Sequence, residues 1–199
     1  MALYRLSDAA NVNYDDWQRE IPALAEVPDD TLRQKAILAW DSATSSSTFC
    51  RFSDVPFNLV APTYRLADHV NEVNAGVQAL ASLARHLKWG DFDSGTLLLA
   101  AILHDVDKPL LFDNAPDGSM RTSWIGRKMA HATVGAILLH ELGLPDEVVH
   151  LVATHSPASS VRPRSMEGLI LAYADLFAAD RIFLDTDRSL RFHRLSLER

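Results

Sequence analysis

The sequence predicts an all-α protein, and three observations carry that expectation. Apolar residues recur at helical spacing through most of the chain, alternating β-branched or aromatic stretches hardly occur, and proline, glycine or serine-rich turns separate the periodic segments. With 199 residues, 48% hydrophobic and 23% charged, the chain has a globular composition and enough length for a real core.

The first clear helix is "VPDDTLRQKAILAW", opened by Asp29 or Asp30 and carrying Leu32, Ala36, Ile37 and Trp40 on one face. The polar, serine-rich "DSATSSSTFCRFSDVP", residues 41–56, reads as a loop. A long helix, "TYRLADHVNEVNAGVQALASLARHLKW", follows and stops at Gly90. "DSGTLLLAAILHDVDK" is the next, apolar on most sides and closed by Pro109. Residues 109–124 hold two prolines and a Pro-Asp-Gly turn and form an excursion. "IGRKMAHATVGAILLHELG" is helical to Gly143, and "LPDEVVHLVATH" is helical from a first-turn Pro145 to about His155. "SPASSVRPRS" is a loop and "MEGLILAYADLFAADRIF" the last long helix. This divides the chain into an N-terminal extension (1–57), a main helical domain (58–184) and a polar tail (185–199).

Several function classes are excluded at this stage. No apolar run approaches the roughly 18–20 residues that span a bilayer, so no membrane association is expected. The N-terminus turns acidic where a secretory signal would be apolar, and Cys50 is the single cysteine, so a cytoplasmic, disulfide-free protein is expected. A net charge of −7 argues against general nucleic-acid binding. The oligomeric state is not legible.

The chemistry gathers where "LLLAAILHDVDKP" (97–109) runs from an apolar segment into charge. With 8 histidines in the chain, about one His-Asp pair arises by chance, so His104-Asp105 means nothing alone. Its neighbours give it weight. At about 100° per residue, His69 shares a face with Val73, Val77 and Leu80, and His104 continues that of Leu97, Ala100 and Ala101. His131 aligns with Gly135, Leu138 and Leu142; His155 closes the stripe of Val148, Leu151 and Val152; Asp175 lies with Leu171, Ala172 and Ala179. One inward histidine is more often a hydrogen-bonded core residue. Several imidazoles and two aspartates from separate helices would each need its own buried partner, whereas a metal centre satisfies all of them. His86, His140, His150 and His193 fall off these stripes and are expected in solvent.

These residues resemble the HD-domain superfamily of metal-dependent phosphohydrolases and their di-iron oxygenase relatives. "LADHV", "AAILHDVDK", "HATVGAILL", "VATHS" and "AYADL" occur in the family's order over about residues 60–180. The resemblance implies a helical HD domain whose first metal takes His69, His104, Asp105 and Asp175, and whose second takes His131 and His155 with Asp105 bridging. It also gives Lys108 a place at the reacting solvent or substrate oxygen; the alternative is a partner for a helix C-terminus. Imidazole and carboxylate ligands suit Fe, Mn, Zn, Ni or Co without choosing among them, and the resemblance puts Fe first. The implied activity is hydrolysis of a small phosphorylated or nucleotide substrate by metal-bound hydroxide. A mixed-valent di-iron oxygenase and a regulatory metal-binding domain are the alternatives. "THSPASS" lacks the second histidine and the Gly-Tyr-Pro of the HD-GYP branch, which argues against cyclic di-GMP as substrate.

Arg121, Arg127, Lys128, Arg162 and Arg164 flank the presumed site and suit a small anionic substrate, although solubilising loop charge explains them equally. Phe112 and Trp124 are candidates to cover a ligand or to anchor the excursion. Asp107 reads as solvated or as a residue behind the ligands. Tyr64 and Asp68 stand close enough to His69 to orient it, with helix-start packing the simpler account.

Overall fold

The computed structural model describes residues 2–157 and 159–192. The helices are α1 (Tyr14–Glu20), α2 (Asp30–Ser45), α3 (Leu66–His86), α4 (Ser94–Leu103), α5 (Lys108–Leu111), α6 (Trp124–Lys128), α7 (Thr133–Glu141), α8 (Asp146–Thr154) and α9 (Met166–Asp185). Side chains cap several of them, satisfying donors that a helix start leaves free. Asp29 accepts from the Leu32 N–H, Asp93 from Gly95 and Thr96, and Ser165 from Gly168. Gly143 ends α7 at φ +68, where glycine is favoured, and the Leu144 N–H closes the turn on the Leu139 carbonyl at 3.0 Å.

The all-α class holds. Two short antiparallel hairpins decorate it: β1 (Pro56–Asn58) with β2 (Ala61–Arg65), and β3 (Phe112–Asn114) with β4 (Met120–Thr122). Pro56 stands opposite Arg65 in the first, and Asp113 opposite Arg121 in the second.

Helix α4 is apolar on nearly every side because it lies at the centre, packed on α3, α8 and α9. Helix α9 crosses α3 closely at Gly76, where an added Cβ would lie 3.3 Å from that of Ala174. One apolar cluster runs from Trp17 through α2, α3, α4, α7 and α8 to Ala178. Residues of the expected N-terminal extension are part of this core. Trp40 is fully buried among Trp17, Phe52 and α4, and the Phe52 ring lies tilted against it at 4.8 Å.

Several expected boundaries move. Helix α2 continues through Ser45 into the stretch read as loop, and residues 63–65 belong to β2 rather than to the long helix. Pro145 stands at the N-cap of α8, not in its first turn. The helix expected over 93–108 stops at Leu103. Pro109 has no N–H to give the Asp105 carbonyl, so the ladder tightens upstream into three-residue steps. Val106 N–H bonds Leu103 O at 3.1 Å, Lys108 bonds Asp105 O at 3.0 Å, and Leu110 bonds Asp107 O at 2.9 Å. The helix expected over 125–143 is likewise two, broken at residues 129–132, where Ala132 has φ +71.

Candidate metal centre

The tightened turn after α4 aims three side chains one way. Residues three apart eclipse in such a turn, and Lys108 Nζ sits 2.8 Å from Asp105 Oδ2, both nearly buried. His104 stands one residue past α4, and its Nδ1 donates to the Ala101 carbonyl at 2.8 Å. His155 repeats the device past α8, donating to Val152 O at 2.7 Å. With Nδ1 so occupied, each ring turns its Nε2 inward.

All six expected ligand residues converge. Asp105 Oδ2 lies 3.3 Å from His69 Nε2 and 3.3 Å from His104 Nε2. Its other oxygen lies 3.0 Å from His131 Nε2 and 3.7 Å from His155 Nε2. Asp175 Oδ1, from α9, lies 3.1 Å from His69 Nε2. Every one of these residues is buried except His131, whose side chain is 28% exposed, so the cluster meets solvent on that side.

The donor set fits divalent metal. His69, His104 and Asp105 form one group and Asp105, His131 and His155 a second, with donor atoms in each group within 4.8 Å of one another. Nε2 of His69 and His104 face each other at 3.3 Å, an approach of two nitrogens beside two carboxylates. The buried His69 Nδ1 has no hydrogen-bond partner. Protein groups satisfy one another poorly here, as expected of ligands aimed at a shared ion.

Electrostatics without metal follow from the packing. Burial opposes ionisation of Asp105, but Lys108, His104 and His131 outweigh it and hold the carboxyl well below its usual range. Asp175 is lowered in the same way, by His69, His104 and His155 against burial. Burial also opposes protonation of His131, yet Asp107 and Asp105 raise its pKa to about 10. Burial pushes His155 down.

The raised His131 value has a measurable consequence in protein stripped of metal. An unfolded histidine titrates near ~6.5. The contribution of charged His131 is therefore complete below about pH 6.5 and is lost as pH climbs through about 10. The urea midpoint of metal-free protein is expected to fall across that window, and His131→Gln to flatten the fall. A flat wild-type profile contradicts the assignment.

The flanking cations and aromatics lie outside the six-residue cluster. Arg121, Arg127, Lys128, Arg162 and Arg164 are all exposed. Arg121 Nε is 3.8 Å from Asp113, Arg127 donates to Thr122 O at 2.6 Å, and Arg162 to Pro157 O at 3.3 Å. Phe112 and Trp124 line a cleft of about 620 Å³ shared with Leu3, Tyr4 and Ser46, away from the cluster. Asp68 is engaged by Arg65 at 2.9 Å and the Tyr64 hydroxyl accepts from Arg181 at 2.6 Å, so neither orients His69. His86, His140 and His150 are exposed; His193 lies outside the described residues.

Phe57 carries no clear signal in the sequence, and Asp107 stands open there between solvent and a place behind the ligands. Phe57, fully buried on β1, sets its ring 4.1 Å from that of His69 and carries Lys108 Nζ 3.9 Å from its centroid. Asp107, also fully buried, accepts the Ala132 N–H at 2.7 Å rather than meeting water.

The sequence profile of the HD domain matches residues 73–180, more than half of the chain. The chain belongs to the HD-domain family. HD domains bind divalent metals, and the two donor groups could hold them. His69 precedes the matched region and is joined to it by the fold. The chain is similar to the dihydroneopterin 2',3'-cyclic phosphate phosphodiesterase of Methanocaldococcus jannaschii, with 27% identity over 111 residues, 55% of this chain and 44% of that protein. It thus spans less than half the length of that relative. No solved structure matches. Among the described residues no helix is long and apolar enough to cross a membrane.

Proposed function

We propose that the chain is a metal-dependent phosphohydrolase acting on a small anionic phosphoester through a two-ion centre. One observation carries the reading. The two oxygens of Asp105 face different imidazole pairs, Oδ2 toward His69 and His104 and Oδ1 toward His131 and His155. A carboxylate so placed suits a bridge, with Asp175 completing the more buried group. Bound there, divalent ions supply Lewis-acid activation of water and neutralisation of phosphoryl charge. Fe, Mn, Zn, Ni or Co suits a nitrogen and oxygen donor set, and the resemblance to the HD superfamily puts iron first.

The chain's own residues do the rest. His104 and His155 hold their rings by backbone carbonyls, so the donors are fixed before substrate arrives. Phe57 excludes water behind His69 and fixes the Lys108 ammonium, which stands ready to pair with a substrate oxygen. The exposed Arg121, Arg127, Lys128, Arg162 and Arg164 draw an anion toward an otherwise acidic protein. The relative's phosphodiester substrate supports this class over C–H oxidation.

The test is metal analysis followed by anaerobic assay. Purified protein reconstituted with ferrous or manganous ion is expected to hold about two ions per chain. It is expected to cleave bis(p-nitrophenyl) phosphate or a cyclic nucleotide without O₂. One ion or none refutes the two-ion centre. No cleavage, or an absolute need for O₂, refutes the hydrolase.

A further inference from the structure

The histidines of the cluster are not all held in the same way. His104 and His155 follow helix C-termini, where carbonyls left free by the helix lie within reach of Nδ1. His131 precedes α7, and a helix N-terminus offers spare N–H donors rather than acceptors. A ring there needs an acceptor from another part of the chain.

Asp107 stands at that place. Its Oδ1 lies 3.1 Å from His131 Nδ1, on the side of the ring away from the Nε2 that faces Asp105. Both atoms are buried and neither makes a hydrogen bond, so each has the other as its charged neighbour at that distance. Its Oδ2 accepts the Ala132 N–H at 2.7 Å, which ties down a residue held at φ +71. Gly135 brings α7 close enough for this: a Cβ there would lie 3.0 Å from Val106 Cγ1 and 3.5 Å from Asp107 Cβ. A fully buried carboxylate is costly unless something charged or polar repays it.

We infer that Asp107 is a positioning residue, grasping the His131 ring and the following N–H together so that Nε2 points at Asp105 and the Asp105–His131–His155 group takes its ion. This rests on the two-ion reading above. The carboxylate does for His131 what a backbone carbonyl does for His104 and His155, and its charge makes the imidazole a stronger donor. The half of the centre that meets solvent thereby depends on a residue that touches no ion.

The test titrates metal-free wild type and Asp107→Asn with Zn(II), and follows histidine ring N–H signals of the loaded proteins by NMR. Wild type is expected to take two ions. Asp107→Asn is expected to keep the first and to bind the second about 10–100-fold more weakly. The His131 Nδ1–H signal should move upfield while those of His104 and His155 stay in place, a selectivity that general loosening of the fold would not give. Should Asp107→Asn fail to fold, Ala132→Gly in the same chain relieves the left-handed turn without restoring the carboxylate, and both readouts apply to that double variant. Unchanged second-ion affinity and an unmoved His131 signal overturn the inference while leaving the two-ion centre standing. Wild type that takes no second ion overturns both.

Discussion

Asp105→Asn is expected to empty both ion groups and to lower hydrolysis by about 10²–10³-fold or more, the scale on which single electrostatic groups act in catalysis. The two oxygens of Asp105 are where the groups meet, and an amide offers one carbonyl in place of two anionic acceptors. The substitution also acts on the protein without metal. Lys108 is 8% exposed and has Asp105 at 2.8 Å, with the Phe57 ring face for further support. Removing one partner of a buried charge pair leaves the other uncompensated and costs about 3–5 kcal/mol. Asp105→Asn should therefore unfold at lower urea, and adding Lys108→Met should recover part of that loss but none of the metal. Elemental analysis and urea titration of the single and double variants separate the two effects. Retention of two ions by Asp105→Asn would remove the bridge from the mechanism.

What the sequence made legible depends on where each residue sits in its element. His69 and Asp175 lie inside long regular helices, so helical phase is meaningful and both are buried as phase requires. His104, His131 and His155 stand just outside helices. Their placement owes less to phase than to what each Nδ1 meets: the Ala101 and Val152 carbonyls by hydrogen bond, and the Asp107 carboxylate at 3.1 Å. The break at 129–132 was invisible because Met129, Ala130 and His131 carry no breaker signal. At the break the Ala132 N–H bonds Asp107, 25 residues earlier in the chain. Phe57 was unreadable for the same reason: nothing local links a β1 phenylalanine to Lys108. Pro109 was read as a helix stop, but its missing N–H acts upstream, ending the helix at Leu103 and turning the charged tail of "LLLAAILHDVDKP" into the floor of the site. The apolar run ends in charge because that is where the central helix gives way to the buried His and Asp cluster.

Trp40→Ala is the second large effect expected, and it tests whether residues ahead of the matched HD region belong to the working unit. The last carbonyls of α4 are free of helical partners. Ala101 O takes the His104 ring, Leu103 O takes the Val106 N–H, and Ile102 O takes Trp40 Nε1 at 3.2 Å. The indole thus finishes the helix end from which His104 and Asp105 emerge. It is also fully buried, 6.3 Å from Trp17 and 4.8 Å from Phe52. Truncation to alanine should cost about 3–5 kcal/mol through lost burial and the cavity left behind. Trp40→Phe keeps most of the ring, forfeits the hydrogen bond and strands a buried carbonyl, for about 1–3 kcal/mol. Urea denaturation is expected to rank wild type above Trp40→Phe above Trp40→Ala. Weaker binding of the ion at His69, His104 and Asp105 should accompany the loss, because Ile102 adjoins the turn that aims two of those donors. Full stability in Trp40→Ala would show that α2 is dispensable packing. Lost stability with unaltered metal affinity would confine its role to the core and leave the turn after Leu103 to hold itself.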